Sequence, residues 1–161
     1  MARANAQRVE DLFYEPTGSS ASASPKAANY PNFVSAFNAP PERKWQIEVQ
    51  SRLLKYAKMQ NGWDSYRAPP VGWDTGMFAL YILNDVMRTR TPIPQVVPSA
   101  AGGVQLEWHQ KGIDLELHIA GPYQCELWFR DHQQPNDPPV SLELTDNFSA
   151  LLRPIELLTT R

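Results

Sequence analysis

Acidic side chains that could bind a cation or a basic partner recur in the second half of this sequence. They are Glu116, Glu126 and Glu143. If apolar residues pair across predicted strands, Leu117 lies opposite Cys125 and Leu127 opposite Leu142. Glu116 is then predicted to face Glu126, and Glu126 to face Glu143. Since neighbouring strands lie about 4.8 Å apart, this row of like charges destabilises the sheet unless a cation, a basic side chain or water screens it.

Three interpretations of the acidic row are open. In the first, the row is a solvated sheet face on which long side chains splay apart and Arg130 or Lys111 supplies partial screening. In the second, it binds a basic surface of another protein, because Trp128 is predicted on the same face and tryptophan is enriched at interface hot spots. In the third, it holds a divalent cation for hydrolysis, since such cations favour carboxylate oxygens, although a flat sheet offers no cleft to exclude water.

Other chemistries find little support in the residue pattern. Cys125 falls on the apolar side of a predicted strand, so its thiol is expected to be buried and protonated. The sequence has no Gly-x-Ser-x-Gly nucleophile motif, and Gly102-Gly103 lacks the lysine and helix of a phosphate loop. No two of the three histidines have the i, i+4 spacing of metal ligands on one helix; they are His109, His118 and His132. We therefore assign no catalytic residue, metal ligand or cofactor.

Length and composition exclude several classes of protein. A chain of 161 residues predicts a single domain, and its one cysteine excludes a disulfide scaffold. A formal net charge of −2 argues against direct nucleic-acid binding over the whole surface. No secretory signal is evident, and the longest apolar stretch, Met77 to Leu83, is far shorter than the roughly 20 residues that span a membrane. These features predict a cytoplasmic protein with no membrane partner.

The elements that must position the acidic residues are predicted from hydrophobic periodicity. Helical spacing begins at Pro41 or Glu42 and ends near Gly62, and a second, more apolar helix runs from Trp73 to about Arg88. A third helix, Asn147 to Leu158, is expected to be interrupted at Pro154. Between them, four segments alternate with period two, starting at Val104, Ile113, Tyr123 and Val140. The predicted fold is therefore α+β: two N-terminal helices and a C-terminal helix packed on one face of a four-stranded antiparallel meander.

Residues 1–41 differ in composition from residues 42–161, which form the predicted domain. They are rich in Ala, Ser and Pro, so we predict a flexible N-terminal arm. Within this arm, Leu12, Phe13 and Tyr14 form an apolar cluster that can dock on the domain or on a partner.

Three motifs resemble those of a group of small, uncharacterised bacterial proteins. They are N-G-W-D-x-Y-x-A-x-P (Asn61 to Pro70), P-x-P-x-V (Pro92 to Val96) and G-G-x-x-L-E-W (Gly102 to Trp108). The resemblance covers roughly residues 45–130 and implies a bacterial origin but no activity. The residues of these motifs are interpreted as structural. Asn61-Gly62 suits a left-handed turn, and the Asp64 side chain can accept a hydrogen bond from the backbone N–H two residues later. Trp63 and Trp108 are large enough to anchor a core.

Two hypotheses of function follow. The first is a non-enzymatic protein-binding module, such as an inhibitor, an antitoxin-like neutraliser or a complex subunit, that docks a basic partner through Glu116, Glu126, Trp128 and Glu143 or through the arm. Charge supports it, since residues 1–60 carry eight basic and five acidic side chains while residues 61–161 carry seven and twelve. The alternative is a small metal-dependent hydrolase that uses Glu116, Glu126 and Glu143 with His118.

Overall fold

The structure, a computed structural model, describes residues 44–161. Within this range the chain forms three α-helices. They are α1 (Lys44–Ala57), α2 (Trp73–Val86) and α3 (Leu152–Thr160), the last preceded by a 3₁₀ turn at Ser149–Leu151. None of them has the length and the apolar character that crossing a bilayer requires. The predicted N-terminal arm, with Leu12, Phe13 and Tyr14, lies outside the described residues.

The helices follow the hydrophobic spacing of the sequence. Helix α1 is amphipathic, and its buried stripe includes Trp45, Val49 and Leu53. Most of α2 is buried, as its broader apolar surface predicts. Helix α3 is not interrupted at Pro154, because this proline lies in the first turn, where its missing N–H would have no helical acceptor.

The sheet is a five-stranded antiparallel meander in which the spatial order equals the chain order. Its strands are β1 (Gln95–Pro98), β2 (Val104–Gln110), β3 (Ile113–Gly121), β4 (Gln124–Asp131) and β5 (Val140–Leu144). Helix α1 contacts β1 and α2, helix α2 contacts β2 and β3, and helix α3 contacts β3. The chain is thus α+β, as the sequence predicts.

The prediction of four strands is wrong, because the proline-rich segment before Gly102 also forms a strand. Two of its prolines, Pro94 and Pro98, hold the backbone extended. Gln95 and Val97, which lie between them, pair with Glu107 and Gln105 of β2. The Ser99 N–H donates to the carbonyl of Gly103 at 2.9 Å, so the odd-numbered residues of this segment face β2. The prolines therefore fall where no N–H is needed for the ladder.

The predicted pairing of β3 with β4 is also wrong, by two residues. Leu117 lies opposite Leu127 rather than Cys125. The predicted register would leave one residue to reverse the chain, whereas a two-residue turn, Pro122-Tyr123, joins Gly121 to Gln124. Tyr123 has φ 62°, and a proline followed by a residue with positive φ suits a type II turn. The pairing of Leu127 with Leu142 is as predicted.

The buried core lies along one face of β2, β3 and β4. Alternate residues of these strands are almost fully buried, and Trp108 of β2 is the largest of them at 1% exposure. Its indole N–H donates to the carbonyl of Pro92 at 2.8 Å, which ties β2 to the segment before β1. Because one face is buried, the polar residues that alternate with the core residues share the other face.

Candidate functional site

The polar side of the sheet, called here the acidic face, is the candidate site. Its strands carry glutamates, histidines and one tryptophan at positions that alternate with the core. From β2 to β5 these residues are Gln105, Glu107, His109, Asp114, Glu116, His118, Glu126, Trp128, Arg130, Ser141 and Glu143.

A shallow depression of about 460 Å³ lies at the centre of the acidic face. It is lined by Gln105, Glu116, His118, Glu126 and Trp128. The sheet is thus less flat than expected, and three of the four predicted sheet residues meet in one concave surface. The fourth, Glu143, lies directly opposite Glu126 on β5, beside the depression.

The order of charges across the face differs from the prediction. Glu116 lies opposite Trp128, not opposite Glu126, and Glu126 faces His118 instead. The cause is the Pro122-Tyr123 turn together with the irregularity of the ladder between Ile119 and Gly121, which place β4 two residues from its predicted position along β3. The pairing of Glu126 with Glu143 is as predicted. The row is therefore interrupted by an aromatic ring and an imidazole.

A further acidic pair, absent from the prediction, joins β2 to β3. Glu107 lies opposite Glu116 in the register of these strands. The neighbouring amide of Gln105 donates a hydrogen bond to Glu116 Oε2 at 2.9 Å. This bond holds one Glu116 oxygen at the rim of the depression.

At one end of β3, Asp114 binds two histidines. His109 Nδ1 lies 2.9 Å from Asp114 Oδ1, and His132 Nε2 lies 2.6 Å from Asp114 Oδ2. The hydrogen bond with Asp114 raises the pKa of His109, with smaller contributions from Glu107 and Glu116. The hydrogen bonds from His132 and His109 lower the pKa of Asp114. Asp114 and His109 thus stabilise each other's charged form.

Sequence analysis noted the two histidines but did not bring them together with Asp114. The signal was the two-residue link Lys111-Gly112, in which both residues have positive φ. Such a link pairs Gln110 with Ile113 and therefore His109 with Asp114. His132 follows β4, and its N–H donates to the carbonyl of Gly112 at 2.9 Å. Both histidines of the cluster are exposed to solvent.

The N-G-W-D motif forms a self-contained turn, as its residue types predict. Asp64 Oδ1 accepts hydrogen bonds from the N–H of Tyr66 at 2.9 Å and of Ala68 at 3.1 Å. These two bonds, that from Tyr66 first, lower the pKa of Asp64. Trp63 donates through Nε1 to the carbonyl of Pro69 at 2.8 Å and is only half-buried. The polar atoms of the motif serve the turn itself.

The residues of the hydrolase hypothesis lie in the depression or beside it. Three of them, Glu116, His118 and Glu126, line the depression, and Glu143 lies beside it. Among residues 44–161, however, no group of three or more His, Cys, Asp or Glu side chains could hold a metal ion. The acidic face thus presents carboxylates, an imidazole and an indole, but within residues 44–161 these groups do not form a set of metal ligands.

Comparison of the chain with protein-family models, with curated proteins and with solved structures found no match. The motifs from Asn61 to Trp108 therefore remain a resemblance, and the proposals below depend on the geometry of the chain.

Proposed function

We propose that this chain is a non-enzymatic protein-binding module that docks a basic surface of another protein on its acidic face. The observation that supports this most strongly is the shared depression, in which the Trp128 indole adjoins the carboxylates of Glu116 and Glu126. An aromatic ring attracts a lysine or arginine side chain through its π face, and carboxylates provide charge-assisted hydrogen bonds. This combination suits a cationic side chain better than a neutral one.

The surroundings of Trp128 favour access to its ring. On β4–β5 it lies opposite Ser141, a small residue, and it is half-buried rather than covered. Arg130, the nearest basic residue on the same strand, lies opposite Asp114 and does not line the depression. A partner cation would therefore meet the carboxylates of the depression without displacing an arginine.

We also propose two further features that were expected from the sequence. The first is that all three helices cover the buried face of the sheet, which leaves the acidic face open; contacts of α1 with β1, of α2 with β2 and β3, and of α3 with β3 support it. The second is a cytoplasmic location with a protein rather than nucleic acid as partner. The cluster of Leu12, Phe13 and Tyr14 is a second predicted contact.

The proposal is tested by affinity capture with quantitative mass spectrometry, using the full chain as bait. The baits are the native chain, Glu126→Lys, Trp128→Ala and a matched control, Glu156→Lys, which reverses an exposed charge on α3. We expect a stoichiometric partner on the native and control baits and its loss from the two face variants. The melting temperature should be unchanged for Glu126→Lys, and Trp128→Ala should retain a folded circular-dichroism spectrum. Binding should also weaken as salt rises.

A partner that binds Glu126→Lys and the native chain equally would exclude the acidic face as the docking surface. A variant in which Leu12, Phe13 and Tyr14 are all replaced by serine distinguishes docking through the N-terminal arm from docking through the acidic face. Loss of the partner from this variant alone would assign the contact to the N-terminal arm.

A further inference from the structure

Among residues 44–161, no further strand pairs with the outer edge of β5. Within the described residues β5 is the last strand, and it pairs with β4 alone. Four of its five residues are exposed. Val140 and Leu142 are 39% and 43% exposed, although they pair with the buried residues Phe129 and Leu127 of β4. The apolar side of the sheet therefore continues onto β5 without full burial.

The hydrogen-bond pattern determines which backbone groups of β5 point away from β4. The His132 N–H donates to the Gly112 carbonyl, so bonding in the β3–β4 ladder recurs at every second pair from there, at Asp114–Arg130 and Glu116–Trp128. The odd-numbered residues of β4 must then bond to β5. Their partners are Val140, Leu142 and Leu144. The N–H and C=O groups of Ser141 and Glu143 therefore point outward.

The opposite edge of the sheet, at β1, has fewer backbone groups available to pair with another strand. Its outward-facing positions are Pro94, Val96 and Pro98, and the two prolines have no N–H to offer. The carbonyl of Val96 accepts a hydrogen bond from the Tyr56 hydroxyl of α1 at 3.0 Å. Proline and side-chain cover are common devices that prevent edge pairing. β5 has neither within its five residues.

We propose that β5 pairs antiparallel with β5 of a second copy of this chain, about a two-fold axis through Leu142. In this register Ser141 lies opposite Glu143 of the second copy, and the reverse. The outward N–H and C=O groups of both residues are then satisfied by four hydrogen bonds. Leu142 meets Leu142 of the second copy on the apolar side, and Val140 meets Leu144.

Charge and hydrogen bonding favour this register over its neighbours. An axis through Glu143 would set two glutamates directly opposite each other, which is destabilising. An axis through Ser141 would place Glu143 opposite Pro139, which has no N–H to donate. A shift by a single residue would put apolar side chains opposite polar ones. The Leu142 axis avoids all three costs.

The pairing would give one ten-stranded sheet with two acidic faces on the same side. A five-residue edge buries less surface than a standard interface of about 1,600 Å², so the association is reversible and depends on concentration. Analytical ultracentrifugation of the full chain should show a mass that rises from 18.2 kDa toward twice that value. Ser141→Pro, which removes an outward N–H and no bond to β4, should stay at 18.2 kDa, whereas Ser141→Thr should behave as the native chain.

The register is tested by cysteine cross-linking. In Leu142→Cys the two new thiols face each other at a non-hydrogen-bonded pair, where Cα atoms lie about 4.5 Å apart, a distance that a disulfide can span. In Ser141→Cys each new thiol lies opposite Glu143 of the second copy, so the two thiols are two residues apart along the strands. The native Cys125 is buried, which raises its pKa to about 11, so it competes poorly. We expect a covalent dimer from Leu142→Cys and none from Ser141→Cys under mild oxidation.

Two results would overturn the proposal. One is a mass of 18.2 kDa at every concentration up to about 1 mM together with no cross-linking of Leu142→Cys. The other is equal cross-linking of the two cysteine variants, which would indicate random collision or another register.

Discussion

Asp131, at the end of β4, accepts two parallel hydrogen bonds from the guanidinium of Arg161, which follows α3. The Nη1–Oδ1 distance is 2.8 Å and the Nη2–Oδ2 distance is 2.6 Å. This paired geometry is the strongest form of an arginine–carboxylate contact. It fastens the end of the last helix to the sheet, and the Arg161 guanidinium holds the pKa of Asp131 below its usual range.

Replacing Asp131 by asparagine should therefore destabilise the fold. We expect Asp131→Asn to lower the free energy of unfolding by about 1–3 kcal/mol at pH 7, because the carboxylate side chain is buried and charge-assisted. Because the pKa of Asp131 is lower in the folded than in the unfolded state, its ionised carboxylate stabilises the fold at pH values above the unfolded-state pKa of about 3.9. This stabilisation is lost as the pH falls through the folded-state pKa. Urea unfolding at pH 7 and pH 3 should show the difference shrinking in acid. Asp137→Asn, in the exposed loop that follows, is the control.

The Asp114 cluster predicts a pH effect of opposite sign. Because Asp114 raises the pKa of His109, the stability that His109 contributes is complete below about pH 6.5. It is lost as pH rises through the folded value. An NMR titration should place His109 above the usual histidine value, and Asp114→Asn should return it toward 6.5. An unchanged His109 pKa in this variant would contradict the hydrogen bond.

Gly103, which precedes β2, and Gly121, which ends β3, differ in the space available for a methyl group. A Cβ at Gly103 would lie 2.6 Å from the carbonyl oxygen of Ile119, whereas a Cβ at Gly121 would meet nothing within 4 Å. Gly103→Ala should therefore force the β2–β3 backbone apart and cost about 1–3 kcal/mol. Gly121→Ala should change stability by no more than about 0.5 kcal/mol. Equal stabilities in urea would contradict this placement of Gly103.

The two tryptophans of the sequence motifs should contribute unequally to stability. Trp108 is 1% exposed, so Trp108→Ala should cost about 3–5 kcal/mol. Trp63 is half-buried, with its indole N–H bonded to Pro69, so Trp63→Ala should cost clearly less. Denaturant unfolding of both variants, monitored by circular dichroism, gives the order. A larger loss for Trp63→Ala would mean that the turn anchors more of the fold than its exposure indicates.

Periodicity was sufficient to predict most of the elements. The apolar spacing of Trp45, Val49 and Leu53 placed α1, and alternation placed β2, β3 and β5 within a residue or two. β1 was missed because a four-residue strand that follows one proline and ends in another carries too little alternation to be distinguished from an extended loop. Its existence depends on where Pro94 and Pro98 fall relative to the ladder, which becomes evident only once β2 is paired.

The candidate site was predicted in composition but not in arrangement. Glu116, Glu126, Trp128 and Glu143 share a face because they alternate with core residues, and a period of two is visible in the sequence. Their order across the face depends on the Pro122-Tyr123 turn and on the irregularity of the ladder between Ile119 and Gly121. Together these shift the register by two residues, which keeps every side chain on its face and changes every neighbour. Hydrophobic matching alone cannot distinguish two such registers when both pair leucine with an apolar residue.

The agreement between chain order and spatial order in the sheet bears on how the protein folds. Each strand from β2 onward pairs with the strand just before it, so the hairpins close over short loops and at small entropic cost. Contacts that are local in sequence favour rapid folding. During synthesis the sheet can grow one strand at a time, with the newest strand always at the growing edge. Of the five strands described in residues 44–161, β5 is the last to be synthesised, so its edge is exposed after the rest of this sheet has paired.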